Sequence, residues 1–153
     1  MTLAENAFIV MLEAHKGQTR WDKQTSYATH PIRVVAILKQ FGVIDDELLA
    51  VGYLHDTLED TKLTETEILE LFGKRVLELV KQLTFKNVNT DQEYITSCAM
   101  LSASAKVVKI ADILSNLTES KVSEHFIRKR LDALAVMLPM VVEIRVPNEV
   151  KQE

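Results

Sequence analysis

The chain has 153 residues, of which 47% are hydrophobic and 26% charged, with a formal net charge of -4. This length and apolar content suit one compact domain with its own core, so we predict a single domain over residues 1–153. The acidic balance argues against a protein whose main partner is nucleic acid, because binding a phosphate backbone needs a basic surface.

The sequence also argues against a membrane partner. No apolar run approaches the roughly 20 residues that a membrane-spanning helix needs. Residues 1–17 lack the basic start and the cleavage site of a signal peptide, so a cytoplasmic location is expected. The single cysteine, Cys98, has no second cysteine to pair with and is interpreted as a small buried hydrophobe. No pattern indicates whether the protein is a monomer or a homo-oligomer.

The distribution of glycine and proline predicts an all-α fold. Glycine occurs 4 times and proline 3 times, and no alternating run of β-branched residues indicates a strand. We expect a first helix over residues 2–15 and a second with Pro31 at its first position and Gly42 past its end. A third helix is expected to run from Asp45 through Asp60.

The later helices carry clear start signals. Thr64 and Glu67 form a predicted capping box ahead of a helix that stops at Gly73, and Thr90 with Glu93 forms a second box. The remaining helices are expected over residues 74–83, from Thr90 to about Ser102, over residues 105–117, and from about Ser123 with a bend or break near Pro139.

The stretch YLHDTLEDT, residues 53–61, places a histidine and three carboxylates at the end of an apolar helix. At helical spacing His55 shares a face with Val51 and Leu48, so its side chain is expected to point inward. Carboxylates that converge there repel one another and are costly to bury, so a cation is expected beside them. Taken alone, the same letters also fit a solvated helix end.

A second anomaly lies in VVKIADILSNL, where Asp112 interrupts a helix that is apolar nearly all round. An interior aspartate needs a cation or strong donors, and Asn116 faces the same way one turn later. Asp112 therefore joins His30, at the start of a helix, and the neighbours His55 and Asp56. These four residues make a set of two imidazoles and two carboxylates. This set suits Mn²⁺, Fe²⁺ or Co²⁺ with coordination positions open for water.

The order H…HD…D resembles that of HD-domain metal-dependent phosphohydrolases. The amino-acid sequence around these residues is more similar still to the hydrolase domain of Rel/SpoT-type enzymes and to small alarmone hydrolases. The matching stretches are AHKGQTR, YATHPIRVVAIL, LLAVGYLHDTLEDT, TETEILELFGKRVLELVKQLT and AKVVKIADILSNL. A lone HD pair would be a weak signal, whereas the long HDTLEDT…FG…V block is highly specific. The resemblance implies a compact single-domain bundle of the HD type.

The resemblance also implies an activity and a site. Family members cleave the 3′-pyrophosphate of ppGpp or pppGpp, giving GDP or GTP and pyrophosphate. Glu59 and Asp60 are implied to handle the attacking water and its protons. Arg20 is implied to lie against the guanine base, and Asn116 to contact the ribose or its phosphate. The ligands implied for one manganese ion are His30, His55, Asp56 and Asp112.

Several positions depart from the family pattern where basic residues are common. A substrate with several phosphates needs cations, so Lys86 and Arg130 are nominated as replacements. Trp21, which follows Arg20, is expected either to stack on a base or to cover the edge of the core. The departures are Trp21, Ile113, Ser115 and Thr118.

Three functions therefore stay open, each with a small-molecule nucleotide as the partner. The first is a manganese-dependent alarmone hydrolase. The second is an HD phosphohydrolase of another nucleotide, such as NADPH or a simple nucleotide. The third is a nucleotide-binding regulatory module with little turnover. The intact ligand set argues against the third function. The first two stay undecided, because positions that are commonly basic in the family hold other residues here.

Overall fold

The structure is a computed structural model that describes residues 1–119 and 123–145, with side chains through residue 139. The described residues form helices and no strand, which confirms the all-α prediction. The predicted end of the domain at residue 153 lies outside the described residues. None of the described helices is long and apolar enough to span a bilayer. The helices are α1 (Leu3–Ala14), α2 (Thr29–Gln40), α3 (Asp46–Leu54), α4 (Thr57–Asp60), α5 (Glu65–Phe72), α6 (Lys74–Leu83), α7 (Asp91–Ala99), α8 (Ala103–Leu117) and α9 (Glu124–Arg145).

Side-chain caps begin the helices where the sequence predicts them. The Thr64 hydroxyl accepts the Glu67 N–H at 3.2 Å, and the Glu67 carboxylate accepts the Thr64 N–H at 2.8 Å. Thr90 and Glu93 form the same reciprocal pair at the start of α7. Each box satisfies backbone donors that a helix start leaves open, so both predicted boxes are confirmed.

Two predicted helix ends differ from the structure. The helix expected to reach Ser102 stops at Ala99, because the Ser102 hydroxyl instead caps α8 by accepting the Ala105 N–H at 3.3 Å. The predicted break near Pro139 does not occur, since α9 continues through this residue to Arg145. The ring removes one backbone hydrogen bond there without ending the helix.

The start of α2 also differs slightly from the prediction. The helix begins at Thr29, so Pro31 is its third residue rather than its first. Its missing N–H still costs no helical hydrogen bond, because the first four N–H groups of a helix have no intrahelical acceptor. His30 therefore lies in the first turn of α2, at the N-terminal end of the helix, as the sequence predicts.

The third predicted helix is divided into α3 and α4, with His55 and Asp56 at the joint between them. The Thr57 hydroxyl donates to the Leu54 carbonyl at 2.7 Å, and His55 Nδ1 lies 2.8 Å from the Gly52 carbonyl. These contacts satisfy carbonyls that the interrupted helix leaves open. Neighbours in a continuous helix diverge by about 100°, whereas at this joint His55 Nε2 and Asp56 Oδ2 come within 3.0 Å of each other.

The buried helix α3 holds the core together. It packs against α1, α2, α6 and α8, while α2 and α8 also pack against each other. Its side chains Leu48, Val51 and Leu54 are buried. Because α2 carries His30 and α8 carries Asp112, this packing brings both residues beside the end of α3.

Gly52 permits the close approach of α3 to α2. A Cβ atom at this position would lie 2.9 Å from Leu38 Cδ1 and 2.9 Å from Val35 Cγ2. Real Cβ contacts are not that short, so a larger residue would push the two helices apart. The spacing between the two histidine-bearing elements therefore depends on the absence of a side chain here.

We expect Gly52→Ala to lower the free energy of unfolding by about 1–3 kcal/mol, the usual cost of overpacking a core. Urea unfolding followed by circular dichroism measures the change. In a Leu38→Ala background, where one clashing side chain is gone, the same substitution should cost less. Equal costs in both backgrounds would show that Leu38 does not limit the approach.

Candidate metal centre and substrate cavity

Four side chains from three neighbouring elements converge at the bottom of one cavity. His30 Nε2 lies 2.9 Å from Asp112 Oδ1 and 3.6 Å from Asp56 Oδ2. His55 Nε2 lies 3.0 Å from Asp56 Oδ2 and 3.4 Å from Asp112 Oδ1. The structure thus brings together all four residues that the sequence analysis nominated as metal ligands.

The spacing and chemistry of these atoms fit a divalent ion. His55 Nδ1 lies against the Gly52 carbonyl, so Nε2 is the ring nitrogen that is turned toward the carboxylates. That buried Nε2 has no hydrogen-bond partner in the described part of the chain, although two carboxylates lie close to it. Once the ring is neutral, its Nε2 lone pair is available to ligate an ion. Ligands on neighbouring positions of one ion, with bonds of about 2.1 Å, lie about 3 Å apart.

Further side chains orient two of these residues. His30 Nδ1 lies 2.9 Å from the Ser115 hydroxyl, so this departure from the family pattern fixes the ring. The Tyr27 hydroxyl donates to Asp56 Oδ2. The Tyr27 ring in turn stacks on the buried His15 ring, with their centroids 4.6 Å apart. The orientation of the candidate ligands therefore depends on Ser115, Tyr27 and His15, which lie behind them.

Lys109 supplies positive charge to the cluster from α8. Its ammonium lies 2.9 Å from Asp112 Oδ2, and it packs 4.9 Å from the Phe85 ring and 5.3 Å from the Tyr94 ring. Burial alone would raise the pKa of Asp112, but Lys109 and His30 hold that pKa well below its usual range. Burial alone would lower the pKa of Lys109, but Asp112 and Tyr94 raise it above its usual range.

Glu59 and Asp60, the predicted proton-handling pair, lie beside the cluster, and carboxylate oxygens of Asp56, Glu59 and Asp60 come within 4.8 Å of one another. Glu59 lines the cavity, and its carboxylate accepts the Phe85 N–H at 2.8 Å. Asp60 lines a neighbouring groove, and its carbonyl accepts a hydrogen bond from the Gln18 side chain at 2.7 Å. Burial and the charge of Asp56 raise the pKa of both carboxyl groups. Both are therefore easier to protonate than an exposed carboxylate.

Arg20 and Asn116 form a connected pair on the opposite wall. The cavity has a volume of about 340 Å³, which is within the range of small-molecule sites. The buried Arg20 side chain donates to Asn116 Oδ1 at 3.0 Å and to Glu119 at 3.2 Å. Asn116 Nδ2 donates to Asp112 Oδ1 at 3.2 Å. The two predicted substrate residues are therefore linked to a candidate metal ligand.

The two nominated replacement cations lie in different places. Arg130 lines the cavity from α9. Lys86 is exposed and does not line it, because the chain turns after Phe85 so that the ring faces inward and Lys86 faces outward. Lys109 and Lys129 line the cavity, and the sequence analysis missed both. Lys109 had a readable signal, since it lies three residues before Asp112 on the same helical face.

The other three residues that depart from the family pattern lie outside the lining of the cavity. Trp21 is 52% exposed, and its ring meets the edge of Phe126 at 5.4 Å. Ile113 is buried in the core. The Thr118 hydroxyl donates to the Ser115 carbonyl at 2.6 Å and so closes the end of α8. Trp21 lies beside the rim of the cavity without lining it.

A family model described as "HD domain" matches residues 7–133. The chain belongs to the HD-domain family. Several relatives are named guanosine-3′,5′-bis(diphosphate) 3′-pyrophosphohydrolase MESH1, including proteins from Xenopus tropicalis and Mus musculus. The one from Xenopus tropicalis is 37% identical over 118 residues, covering 71% of this chain and 64% of the relative. The one from Mus musculus is 35% identical over 129 residues, covering 73% and 72%. The HD-domain chain thus spans just under two thirds of the Xenopus relative.

A bacterial relative and two solved structures extend the comparison. The bifunctional (p)ppGpp synthase/hydrolase SpoT of Escherichia coli is 44% identical over 75 residues, or 49% of this chain and 10% of the relative. The solved structure of a metazoan SpoT ortholog superposes with a TM-score of 0.76 at 24% identity, covering 95% of this chain and 96% of that chain. The Listeria monocytogenes protein lmo0812 gives 0.59 at 24% identity, covering 71% and 78%. These structures confirm the predicted HD-type fold.

The stabilisation that a divalent ion gives at the candidate centre should grow as the pH rises from about 5.5 to about 8, with Mn²⁺ as the probe. In the metal-free protein burial lowers the pKa of His55, but Asp56 and Asp112 outweigh it and raise that pKa well above its usual range. The bound proton thus contributes stability that is complete below the unfolded pKa of about 6.5 and is lost as the pH rises through the folded pKa. A ligating imidazole must be neutral, so ion and proton compete.

Scanning calorimetry with and without Mn²⁺ measures this competition as the rise in Tm at each pH. We expect a small rise at the acid end and a larger one at the alkaline end. His55→Gln, which keeps a polar side chain but removes the titrating ring, should flatten the trend. A rise in Tm that is equal at every pH in the unmodified protein would place the ion away from His55.

Proposed function

We propose that this HD-domain chain hydrolyses the 3′-pyrophosphate of ppGpp and pppGpp, giving GDP or GTP and pyrophosphate, with Mn²⁺ as its cofactor. The observation that carries the proposal is the buried cluster of imidazoles and carboxylates in a cation-lined cavity. Its relatives at 35–37% identity, named as 3′-pyrophosphohydrolases of guanosine bis(diphosphate), support the choice of substrate. The residues that would hold the ion are His30, His55, Asp56 and Asp112.

The donor set supports manganese as the cofactor. Two imidazoles and two carboxylates suit a borderline-to-hard divalent ion, and four protein ligands leave positions for water and substrate. Such an ion, when bound, lowers the pKa of a coordinated water and neutralises charge on phosphoryl oxygens. Lys109 keeps Asp112 ionised through its contact with Oδ2, so Oδ1 remains available as a ligand atom.

We assign general acid–base chemistry to Glu59. Burial and the nearby Asp56 charge raise its pKa, which brings it closer to the pH at which a carboxylate exchanges protons efficiently. The Phe85 N–H holds one of its oxygens in place. Glu59 can therefore accept a proton from the attacking water and return it to the leaving oxygen of the nucleoside. Asp60, next to it, is assigned to hold this water in line.

Arg20 and Asn116 are assigned to the nucleoside. Two of the five N–H donors of Arg20 bind Asn116 and Glu119, and the others have no side-chain partner among the described residues. The guanidinium lies 5.1 Å from the centroid of the Tyr27 ring, so one side of this group is already covered. Its cavity side can then lie against a guanine base, and Asn116 is placed to contact the ribose.

A second candidate is hydrolysis of another nucleotide, because positions that are commonly basic in this family hold Trp21, Ile113, Ser115 and Thr118 here. A panel assay separates the two candidates. Purified protein with Mn²⁺ is offered ppGpp, pppGpp, simple nucleotides and NADPH, and the products are identified by ion exchange and mass. We expect pyrophosphate and GDP from ppGpp. Release of single phosphate from another nucleotide would favour the second candidate. The cytoplasmic location and the extent of the domain over residues 1–153 stay predictions.

Asp112→Ala is the control for the role of the metal in this assay. It removes one carboxylate that two imidazoles share, so bound Mn²⁺ and turnover should both be lost. Metal content is measured by mass spectrometry after gel filtration. Metal content equal to that of the unmodified protein would show that the ion binds elsewhere and would contradict the proposed centre.

Glu59→Gln keeps the shape of the side chain and removes its charge. Loss of general acid–base catalysis typically lowers kcat about 10²–10⁴-fold, and we expect an effect in that range with Mn²⁺ still bound. The stability should not fall, because one of several crowded carboxylates is removed. The matched control is Glu70→Gln, an exposed carboxylate on α5 outside the cavity. Loss of metal in Glu59→Gln would make it a ligand, and full activity would exclude the assigned role.

A further inference from the structure

The wall of the cavity opposite Arg20 alternates cations with aromatic rings. The Lys109 ammonium lies 5.3 Å from the Tyr94 ring centroid, and Arg130 Cζ lies 5.8 Å from the same centroid. Arg130 Cζ also stacks 3.4 Å from the centroid of Phe126, whose edge meets Trp21. Tyr94 therefore contacts Lys109, Arg130 and also Lys129, whose ammonium lies 4.5 Å from its centroid, while Phe126 packs on Arg130.

Arg130 differs from the other cations that line this cavity. It forms no ion pair with any carboxylate in the part of the chain that the structure describes, and its Nε is buried without a hydrogen bond there. The other three cations are neutralised. Their ion pairs are Arg20 with Glu119 at 3.2 Å, Lys109 with Asp112 at 2.9 Å and Lys129 with Asp91 at 3.6 Å.

A guanidinium held in this way is poised to bind an anion. Burial lowers the pKa of Arg130, although arginine remains charged at any physiological pH. The Phe126 and Tyr94 rings orient the side chain through cation–π contacts but leave its charge without a counterion. A phosphate oxygen in the cavity would supply that counterion and accept hydrogen bonds from the planar group.

The position of Arg130 indicates which phosphate it meets. Lys109 contacts Asp112 directly and shares the Tyr94 ring with Arg130. Among the described residues Arg130 forms no ion pair or hydrogen bond with any of the four candidate ligands. An anion on Arg130 is then separate from the phosphoryl group that lies over the cluster.

We propose that Arg130 binds the phosphate group of the substrate that is not cleaved, which for a guanosine 3′-pyrophosphate is the 5′-diphosphate. The site thereby selects nucleotides that carry phosphate at both the 3′ and 5′ positions. This inference rests on the proposed function, because it takes the cleaved group to be the one at the cluster. It makes Arg130 a specificity-determining residue, with no part in the chemical step.

Two substrates that differ only at the 5′ position test the assignment. One is ppGpp, and the other is guanosine 3′-diphosphate with a free 5′-hydroxyl. Arg130→Gln should lower kcat/KM for ppGpp about 10–100-fold, the usual worth of a charge-assisted hydrogen bond, and should change it less than about twofold for the other substrate. Arg130→Lys, which keeps the charge without the planar fork, should lie between. Equal losses for both substrates, or no loss for either, would overturn the proposal.

The matched control is Arg128→Gln on the same helix. Arg128 is exposed and paired with Glu124 at 3.0 Å, outside the cavity, so its substitution should leave the ratio of the two kcat/KM values unchanged. Thermal melts of every variant separate loss of recognition from loss of folding. If Arg130→Gln does not fold, Arg130→Lys carries the comparison, and an unchanged ratio there counts against the proposal.

Binding without turnover separates this inference from the proposed function. Calorimetry with GDP and with guanosine uses probes that lack the cleavable group. The unmodified protein should bind GDP about tenfold or more tightly than Arg130→Gln does, whereas guanosine should bind both equally. GDP affinity that does not depend on Arg130 would overturn the assignment. Failure to cleave ppGpp, together with Arg130-dependent GDP binding, would reject the hydrolase and leave the 5′-phosphate site standing.

Discussion

The structure depends on one electrostatic constraint, the burial of Asp112 and the partial burial of Asp56 beside two imidazoles. Carboxylates in such a place repel one another and lose their hydration, so they need positive charge close by. Lys109 supplies part of it at 2.9 Å from Asp112, and the buried His55 Nε2 lies 3.0 Å from Asp56 Oδ2 and 3.4 Å from Asp112 Oδ1. The helices that carry these groups pack on α3 so closely that Gly52 has no room for a side chain. Core packing and charge placement are therefore set by the same contacts.

The joint at His55 and Asp56 converts a packing helix into part of a site. Up to Leu54 the helix buries apolar side chains, and a separate short helix begins at Thr57. The side chains of two successive residues, His55 and Asp56, can then meet at 3.0 Å. The joint needs no glycine or proline, because a threonine hydroxyl and a histidine ring nitrogen take the carbonyls that the helix releases.

Local signals in the sequence predicted the helix starts and the ligand set, but not the direction of every side chain. Capping boxes such as Thr64 with Glu67 are read within four residues, and the polar Asp112 stands out in an apolar helix. The joint after Leu54 could not be read this way, since its residues are acceptable inside a helix. Lys86 and Arg130 are equally basic in the sequence, and the packing of α9 on α7 and α8 is what brings Arg130 to the cavity.

The hydrogen bonds from Arg20 to Asn116 and from Asn116 to Asp112 join the two halves of the site. A nucleotide that draws Arg20 toward itself alters the donor that Asn116 offers to Asp112, and so alters the basicity of that carboxylate. Thermodynamic reciprocity then applies: whatever factor the nucleotide imposes on ion affinity, the ion imposes on nucleotide affinity. Under the proposed function, ion and nucleotide occupancy are thus coupled variables, and the availability of one sets the concentration range over which the protein responds to the other.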